Sequence, residues 1–285
     1  MAVNAQQTKP PFRHFAKRVI ALAGLCLLTA IPSLGAAEGG QRFVVLREHG
    51  SGAATRAQPY LDQLLNAVAK QNGWPAATGK YFAERAPALE FMKTNRPQFG
   101  ILSLDAYLAL RASHELGVIG EVVAPKAGGL QYHLVSAKAK NVAGCRGQSV
   151  ATTFVTDPVF VERVVARGAF KLSDFKLVAA ERPVQPLKQV LRGEAACALI
   201  DDSQLEAAKH IEAGDTLKSV WQSSKLPGMV VVAFPKSNPA TVAQFKASLP
   251  GLCAAAGQAC SSVGIEQLRP TTEATYRPVI AAYTK

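Results

Sequence analysis

Strand-like and helix-like segments alternate along this 285-residue chain in two successive runs. The first run opens with the β-branched stretch of residues 42–46, followed by a helical pattern whose apolar face extends from Tyr60 to Val68. The second run opens with the strand-like residues 149–153. Such alternation is typical of α/β layers around a mainly parallel sheet. The sequence therefore predicts two α/β halves.

Composition excludes several other classes of chain. Hydrophobic residues make up 48% of the sequence and charged residues 18%, so there is enough apolar surface to offset the entropy lost on folding. The 17 prolines and 22 glycines follow no period, which excludes collagen and low-complexity repeats. We therefore expect an ordered globular protein.

The N-terminus has the composition of a secretory signal peptide. Residues 1–18 contain four basic residues and no acidic one, and an apolar run over residues 19–31 precedes Pro32 and small residues up to Ala37. This order predicts a signal peptide over residues 1–37 and a periplasmic protein. An anchor that is never cleaved is the alternative.

Four cysteines remain beyond that segment: Cys145, Cys197, Cys253 and Cys260. An even number in an exported chain suits two disulfides. The last two are seven residues apart and could close a small loop, which leaves Cys145 with Cys197. Four buried free thiols packed as small hydrophobes are the alternative.

Sequence motifs give little support to an enzyme, a metal site or a nucleic-acid partner. The nucleophile, zinc-protease and phosphate-loop motifs are missing from the sequence. A site formed in space by His49, His133 and Asp105 is a weaker hypothesis. The adjacent Asp201 and Asp202 would point to opposite faces of a strand and so would not form a catalytic pair. The net charge of +12 is spread along the chain rather than clustered, so no nucleic-acid partner is expected.

Four stretches, taken in order, carry a family resemblance: residues 86–107, 141–150, 191–201 and 264–279. They resemble the phosphate/phosphonate/phosphite-type substrate-binding proteins of ABC importers. The family's phosphonate-binding members continue Thr-Asp-Pro with Ser and Thr residues, whereas here the residues after Thr156-Asp157-Pro158 are Val-Phe-Val-Glu. The hydroxyls that would hold a phosphonate are therefore missing from this turn.

The resemblance implies an α/β, two-lobed type II periplasmic-binding fold, with a mainly parallel sheet flanked by helices in each lobe and a two-crossing hinge. The crossings are expected near residues 125–131 and 221–229. Lobe 1 would comprise residues 38–128 plus 226–285, and lobe 2 residues 129–225. Cys145 and Cys197 would then precede or begin strands of one sheet, within bonding reach of each other.

The resemblance also implies a function. The protein would be the periplasmic solute-binding component of an ABC-type importer, a monomer that hands a small anionic or polar ligand to an inner-membrane permease, with neither catalysis nor a cofactor. A sensory or accessory binding protein is the alternative, and an enzyme on this fold a weaker one. Asp157 would add negative charge at a helix N-terminus that Pro158 opens, so the solute is expected to be at most singly charged or zwitterionic.

Ligands of open α/β sheets bind beyond the carboxyl ends of the strands. The residues predicted there as ligand contacts are His49, Ser51, Tyr81, Ser103, Asp105, Tyr107, Thr152, Thr153, Thr156, Asp157 and Asp201. Helix capping is an equally good reading of each Ser and Thr, and of Asp105, and Tyr107 could equally belong to the core.

Overall fold

Two β-sheets with helices packed on them form the described part of the protein, which is residues 40–49, 54–125 and 128–285 of a computed structural model. The signal peptide predicted over residues 1–37 and the ligand contact predicted for Ser51 lie outside these residues.

Each sheet is built from strands of both directions, with one direction in the majority. The first sheet has the order β11-β4-β10-β3-β1-β2, and the second β7-β6-β8-β5-β9. The first-sheet strands are β1 (Gln41–Leu46), β2 (Ala77–Phe82), β3 (Phe99–Leu102), β4 (Gly117–Val123), β10 (Val230–Ala233) and β11 (Gln267–Pro270). The second-sheet strands are β5 (Tyr132–Ser136), β6 (Ser149–Thr152), β7 (Lys176–Ala179), β8 (Cys197–Asp201) and β9 (Lys218–Gln222). The strands β1, β2 and β3 pair in parallel, as do β6, β7 and β8, which confirms the α/β prediction.

Helices cover both faces of each sheet. They are α1 (Ala54–Asn72), α2 (Arg85–Asn95), α3 (Leu104–Leu110), α4 (Gln185–Leu191), α5 (Asp202–Ala208), α6 (Pro239–Ala256), α7 (Gln258–Ser262) and α8 (Arg277–Thr284). Along β1, Phe43 and Val45 belong to the core beneath α1 and α6, whereas Val44 and Leu46 belong to the core shared with α2 and α3. Successive strand residues face opposite sides, so the continuous apolar run of β1 is buried on both faces.

The chain passes between the sheets twice. It leaves the first sheet after β4 and enters the second at β5, and it returns between β9 and β10. Each connection contains a glycine at a position where another residue would be strained or would clash. Gly129 has a φ of +81°, a region that favours glycine, and a side chain at Gly228 would overlap the Val122 carbonyl. The prediction of two crossings is confirmed.

The two halves are in contact through a shared core and through the C-terminal helix. One apolar cluster includes Val44 and Leu102 of the first sheet together with Leu134 and Val150 of the second. Helix α8, which follows the last strand of the first sheet, packs against the π-helix Phe160–Ala166 that follows β6. The C-terminal helix therefore connects the first sheet to the half that contains the second sheet.

Several local expectations differ from the structure. Tyr60 is 37% exposed, because it lies outside the stripe of α1 that faces the sheet. Asp105 does not cap α3; Ser103 occupies the N-cap position, two residues earlier than the sequence pattern indicated. The sequence did not predict the strand β9, whose last two residues fall in the stretch expected to be a lobe crossing.

The two disulfides are present as expected, linking Cys145 to Cys197 and Cys253 to Cys260. The Cα atoms of the first pair are 6.1 Å apart, within the range that a disulfide spans. Cys197 begins β8, which pairs in parallel with β6, so the chain segments that carry the two cysteines meet at the same end of the second sheet.

Removing the long-range disulfide should cost more stability than removing the local one. The Cys145→Ala/Cys197→Ala variant opens a link across 52 residues and should lose about 4 kcal/mol of unfolding free energy through the entropy of the unfolded chain. The Cys253→Ala/Cys260→Ala variant opens a link across 7 residues and should lose about 2.5 kcal/mol. Urea unfolding of both variants measures the difference, and a larger loss for the local pair would contradict it.

Candidate ligand-binding cleft

A cleft of about 1010 Å³ lies where strands of both sheets end. Residues after β1 and β2 line one side, and residues after β6 and β7 line the other. The lining residues are Glu48, His49, Arg56, Ala83, Glu84, Arg85, Ala86, Thr153, Thr156, Ala180, Glu181, Arg182, Pro183 and Val184. Ligand sites of open α/β sheets lie at such carboxyl ends, so the position of the cleft follows from the strand order.

Arg85 forms the central ion pairs of the cleft. Its Nη2 atom is 2.6 Å from Glu48 Oε2, and its Nε atom is 3.0 Å from Glu48 Oε1, a two-pronged geometry that suits guanidinium and carboxylate. The same Nη2 atom is 3.6 Å from Asp157 Oδ2. Glu48 and Arg85 belong to the first half and Asp157 to the second, so one guanidinium joins carboxylates from both.

Asp157 is held by further bonds on its own side. Its Oδ1 atom accepts the Phe160 amide at 2.9 Å, and its Oδ2 atom accepts the Tyr283 hydroxyl at 3.1 Å. Asp157 therefore caps the helical turn that begins at Pro158. Nothing in the sequence indicated that Tyr283, from α8, would reach the same carboxylate.

His49 lies beside this cluster in a left-handed backbone conformation, with a φ of +60°. Its Nε2 atom is 3.5 Å from Asp105 Oδ2, and its ring centroid is 4.5 Å from that of Phe154. Burial, together with the Arg85 guanidinium, lowers the pKa of His49 to about 4. The imidazole is therefore neutral at pH 7, and its contact with Asp105 is not an ion pair there.

A small cavity of about 40 Å³ adjoins the cleft, since Glu48 and His49 line both spaces. This volume exceeds the roughly 10–15 Å³ that a water-sized group needs. Both halves and both connections contribute to its wall. The remaining lining residues are Arg47, Ser103, Leu104, Asp105, Gly128, Gly129, Leu130, Tyr132, Phe154, Asp201, Leu226, Pro227, Gly228 and Met229.

Three carboxyl groups of this cavity have raised pKa values, and burial is the main cause for each. Burial raises the pKa of Glu48 in spite of its bonds to Arg85. It raises the pKa of Asp105 although the Ser103 side chain and the Ala106 amide donate to it, and the pKa of Asp201 in spite of Ser203 and Gln204. Removal from water disfavours the charged form of each group.

Most of the predicted ligand contacts lie at these two spaces. His49, Thr153 and Thr156 line the cleft, and His49, Ser103, Asp105 and Asp201 line the small cavity. Asp157 lines neither space, but it contacts Arg85, which lines the cleft. Asp201 also caps α5 by accepting a hydrogen bond from the Gln204 amide at 2.8 Å. The same residue therefore caps a helix and lines the small cavity.

Three predicted contacts lie elsewhere. Tyr81 is buried in the core between the first sheet and α1, and Tyr107 is fully buried, with its ring centroid 5.6 Å from that of Tyr276. Thr152 accepts the Phe154 amide at 3.1 Å through its Oγ1 atom. Each lies near a strand end as predicted, but neither space includes it among its lining residues.

Thr153 is the predicted residue that both lines the cleft and has an unpartnered polar group, whereas the unpartnered hydroxyl of Tyr107 lies in the core. Its residue exposure is 8%, and its Oγ1 atom has no hydrogen-bond partner among the described residues. An unpaired buried hydroxyl is unfavourable by about 1–3 kcal/mol. Because Thr153 lines the cleft, a polar ligand group could remove that cost.

The sequence reading missed the arginines and Glu48. Arg47 and Glu48 directly follow β1, and Arg85 begins α2 directly after the β2 turn. Their positions directly after strands could have identified them, because His49 and Ser103 were selected for the same reason.

No group of three or more His, Cys, Asp or Glu residues able to hold a metal ion occurs among the described residues. Within the same part of the chain, every helix is too short or too polar to cross a membrane.

The Asp105→Asn substitution should raise thermal stability at neutral pH. Because burial raises the folded-state pKa of Asp105 above 3.8, its favourable contribution is complete below pH 3.8 and is lost as the pH rises through the folded-state pKa. The melting temperature of the variant relative to the natural protein should therefore increase between pH 4 and pH 7.5, as measured by calorimetry.

Asp215→Asn is the matched control for this measurement, because Asp215 is exposed on a turn far from the cleft in sequence. It should show a smaller change over the same pH range. A destabilised Asp105→Asn variant whose deficit is independent of pH would mean that the carboxylate is a structural requirement.

Solved structures of binding proteins share this fold. A binding protein component of an ABC phosphonate transporter from Pseudomonas aeruginosa has a TM-score of 0.64 at 13% identity, over 85% of each chain. A Xanthomonas citri protein solved with ATP bound has a TM-score of 0.67 at 10% identity, over 86% of this chain and 98% of its own. PhnD1 from Prochlorococcus marinus, solved with methylphosphonate, has a TM-score of 0.63 at 8% identity, over 85% of this chain and 96% of its own.

Neither a family model nor a curated protein sequence matches the chain. At such low identities, the structural similarity establishes architecture. The chain therefore has the two-lobed α/β fold of periplasmic binding proteins.

Proposed function

We propose that the protein is the solute-binding component of an ABC-type importer, which captures a small polar ligand between two lobes. The observation that carries the proposal is the cleft of about 1010 Å³ between strand ends of both sheets, in a fold shared with transport binding proteins. Its volume is at the upper end of the range of small-molecule sites.

The lobes of the proposal are residues 38–128 plus 226–285 and residues 129–225, hinged at the two crossings. Binding proteins of this kind close around a solute, so that contacts from both lobes form together. Glu48 and Arg85 on one side and Thr153 and Asp157 on the other are arranged for such two-sided contact. Although helix α8 lies within the lobe 1 range, it packs on the π-helix of lobe 2 and would move with that lobe.

We propose that the protein binds its solute without transforming it. Glu48 is engaged by Arg85, and Asp157 by the Phe160 amide and the Tyr283 hydroxyl. These bonds hold both carboxylates in supporting roles. A monomeric protein in the periplasm, exported by residues 1–37 and delivering its solute to an inner-membrane permease, completes the proposal.

Native mass spectrometry of the protein purified from its own host tests this function. We expect a noncovalent small-molecule adduct that is lost on denaturation. The Thr153→Val variant keeps the side-chain shape but removes the unpartnered hydroxyl, so adduct affinity should fall roughly tenfold without loss of thermal stability.

Thr216→Val is the control, since the Thr216 hydroxyl is exposed and donates to the Ala213 carbonyl. This variant should retain the adduct. A protein that carries no adduct from its host, or one whose adduct is unaffected by Thr153→Val, would contradict the proposed site.

A further inference from the structure

Positive charge is concentrated at the end of the second sheet that lies opposite the cleft. Two chain segments form this part of the surface: residues 137–148, which lead from β5 into β6, and residues 167–176, which lead into β7 and begin it. Their one acidic residue is Asp174. Their basic residues, all of them exposed, are Lys138, Lys140, Arg146, Arg167, Lys171 and Lys176. We call this surface the basic end.

The strand topology brings together charges that are separate in the sequence. The strand β5 runs antiparallel to β8, whereas β6 and β7 run parallel to it, so the end of β5 and the starts of β6 and β7 lie at one edge of the sheet. The Gly147 amide donates to the Asp174 carbonyl at 2.8 Å, and the Lys176 amide donates to the Gln148 carbonyl at 2.8 Å. The long-range disulfide also links the first segment to β8. The two segments therefore present their charges from one connected backbone.

Most of this positive charge has no ion-pair partner within the described residues. Arg146 is the exception, since its Nε atom is 3.7 Å from Asp174 Oδ2. A second carboxylate near these segments, that of Glu162, accepts the Leu172 amide at 2.9 Å through its Oε1 atom. The four lysines and Arg167 form no ion pair in the part of the chain that the structure describes. A partner of opposite charge would therefore relieve the repulsion among them.

An exposed apolar side chain beside the basic end favours a lipid surface as that partner. Leu177 follows Lys176 on β7, which is an edge strand of the second sheet, and it is 40% exposed. Basic side chains next to exposed apolar groups suit the boundary between phosphate headgroups and acyl chains. A soluble polyanion, in contrast, would contact the charges and leave the leucine in water.

The position of the basic end leaves the cleft accessible. Thr153 and Ala180, which line the cleft, directly follow β6 and β7, whereas the basic end precedes the same two strands. A flat surface that contacts the basic end therefore lies at the opposite end of these strands from the ligand space. A protein held in this way can still exchange its solute.

We propose that the basic end docks on the phosphate headgroups of an anionic phospholipid bilayer. The inference rests on the function proposed above, because delivery to an inner-membrane permease places the protein beside a bilayer. Lysine and arginine side chains attract anionic lipids, and the attraction extends over about 10 Å at 0.1 M salt. Docking would keep the protein close to the membrane that contains the permease.

Cosedimentation with lipid vesicles tests this docking surface. The protein purified from its own host should bind vesicles of mixed phosphatidylglycerol and phosphatidylcholine at low ionic strength. Added sodium chloride should release it, because salt screens the attraction, and vesicles of phosphatidylcholine alone should bind it much more weakly. Equal binding to the two kinds of vesicle, or binding to soluble polyglutamate with none to the anionic vesicles, would overturn the lipid assignment.

The Lys138→Glu/Lys140→Glu variant should lower the partition coefficient for the anionic vesicles by about thirtyfold or more, since each basic residue near the surface favours binding by about fivefold. The control variant Lys93→Glu/Lys236→Glu changes the net charge equally at exposed positions in α2 and after β10, and it should bind as the natural protein does. Equal losses in the two variants would mean that net charge drives the binding, which would overturn the assignment to the basic end.

The docking surface and the solute-binding function can fail separately. An adduct in native mass spectra from a protein that does not bind anionic vesicles would refute the docking surface and leave the proposed function standing. Binding to anionic vesicles by a protein that carries no adduct would refute the proposed function and leave the docking surface in place.

Discussion

The bridge that Arg85 makes between Glu48 and Asp157 is the interaction on which the cleft depends. A guanidinium is charged at all physiological pH values and presents several donors in one plane, so it can serve two carboxylates at once. Glu48 follows a strand of one sheet, and Asp157 follows a strand of the other. A single side chain therefore links the two strand ends, and the cleft lies beside it.

The carboxylates around that bridge bring an electrostatic cost. Desolvation raises the pKa values of Glu48, Asp105 and Asp201. The ionised form of each group is therefore less stable in the protein than it would be in water. Functional sites commonly retain such groups at the expense of stability. In a binding protein, a bound solute of complementary charge would offset this cost. The site would then be more stable with the solute bound than without it.

Helix α8 adds a constraint from the end of the chain. The Tyr283 hydroxyl donates to Asp157, and the Tyr283 carbonyl accepts from Arg163 at 3.1 Å. The C-terminal residues thus position the same carboxylate that meets Arg85. Tyr283 packs, partly buried, against the apolar cluster that runs from the first sheet into the second, which shields its hydrogen bond to the carboxylate from part of the solvent.

Much of the fold was already legible in the order of residues. A run such as Phe43-Val-Val-Leu46 predicts a strand, Asn72-Gly73 ends a helix because Gly73 adopts a φ of +63°, and Pro158 predicts the start of a helix. The spacing of the four cysteines, with the resemblance, led to the disulfides that the structure contains. These features are local, or depend on periodicity, so they can be read one segment at a time.

The membership of the cleft could not be read in this way. Tyr81 and Tyr107 lie near strand ends just as His49 and Ser103 do, yet both tyrosines point into the core, because strand and helix geometry decides which side a residue faces. Arg85, Asp157 and Tyr283 meet although they are far apart in sequence. Such a meeting depends on the packing of two sheets and a returning helix, so side-chain direction and long-range packing, which no single segment encodes, assembled the site.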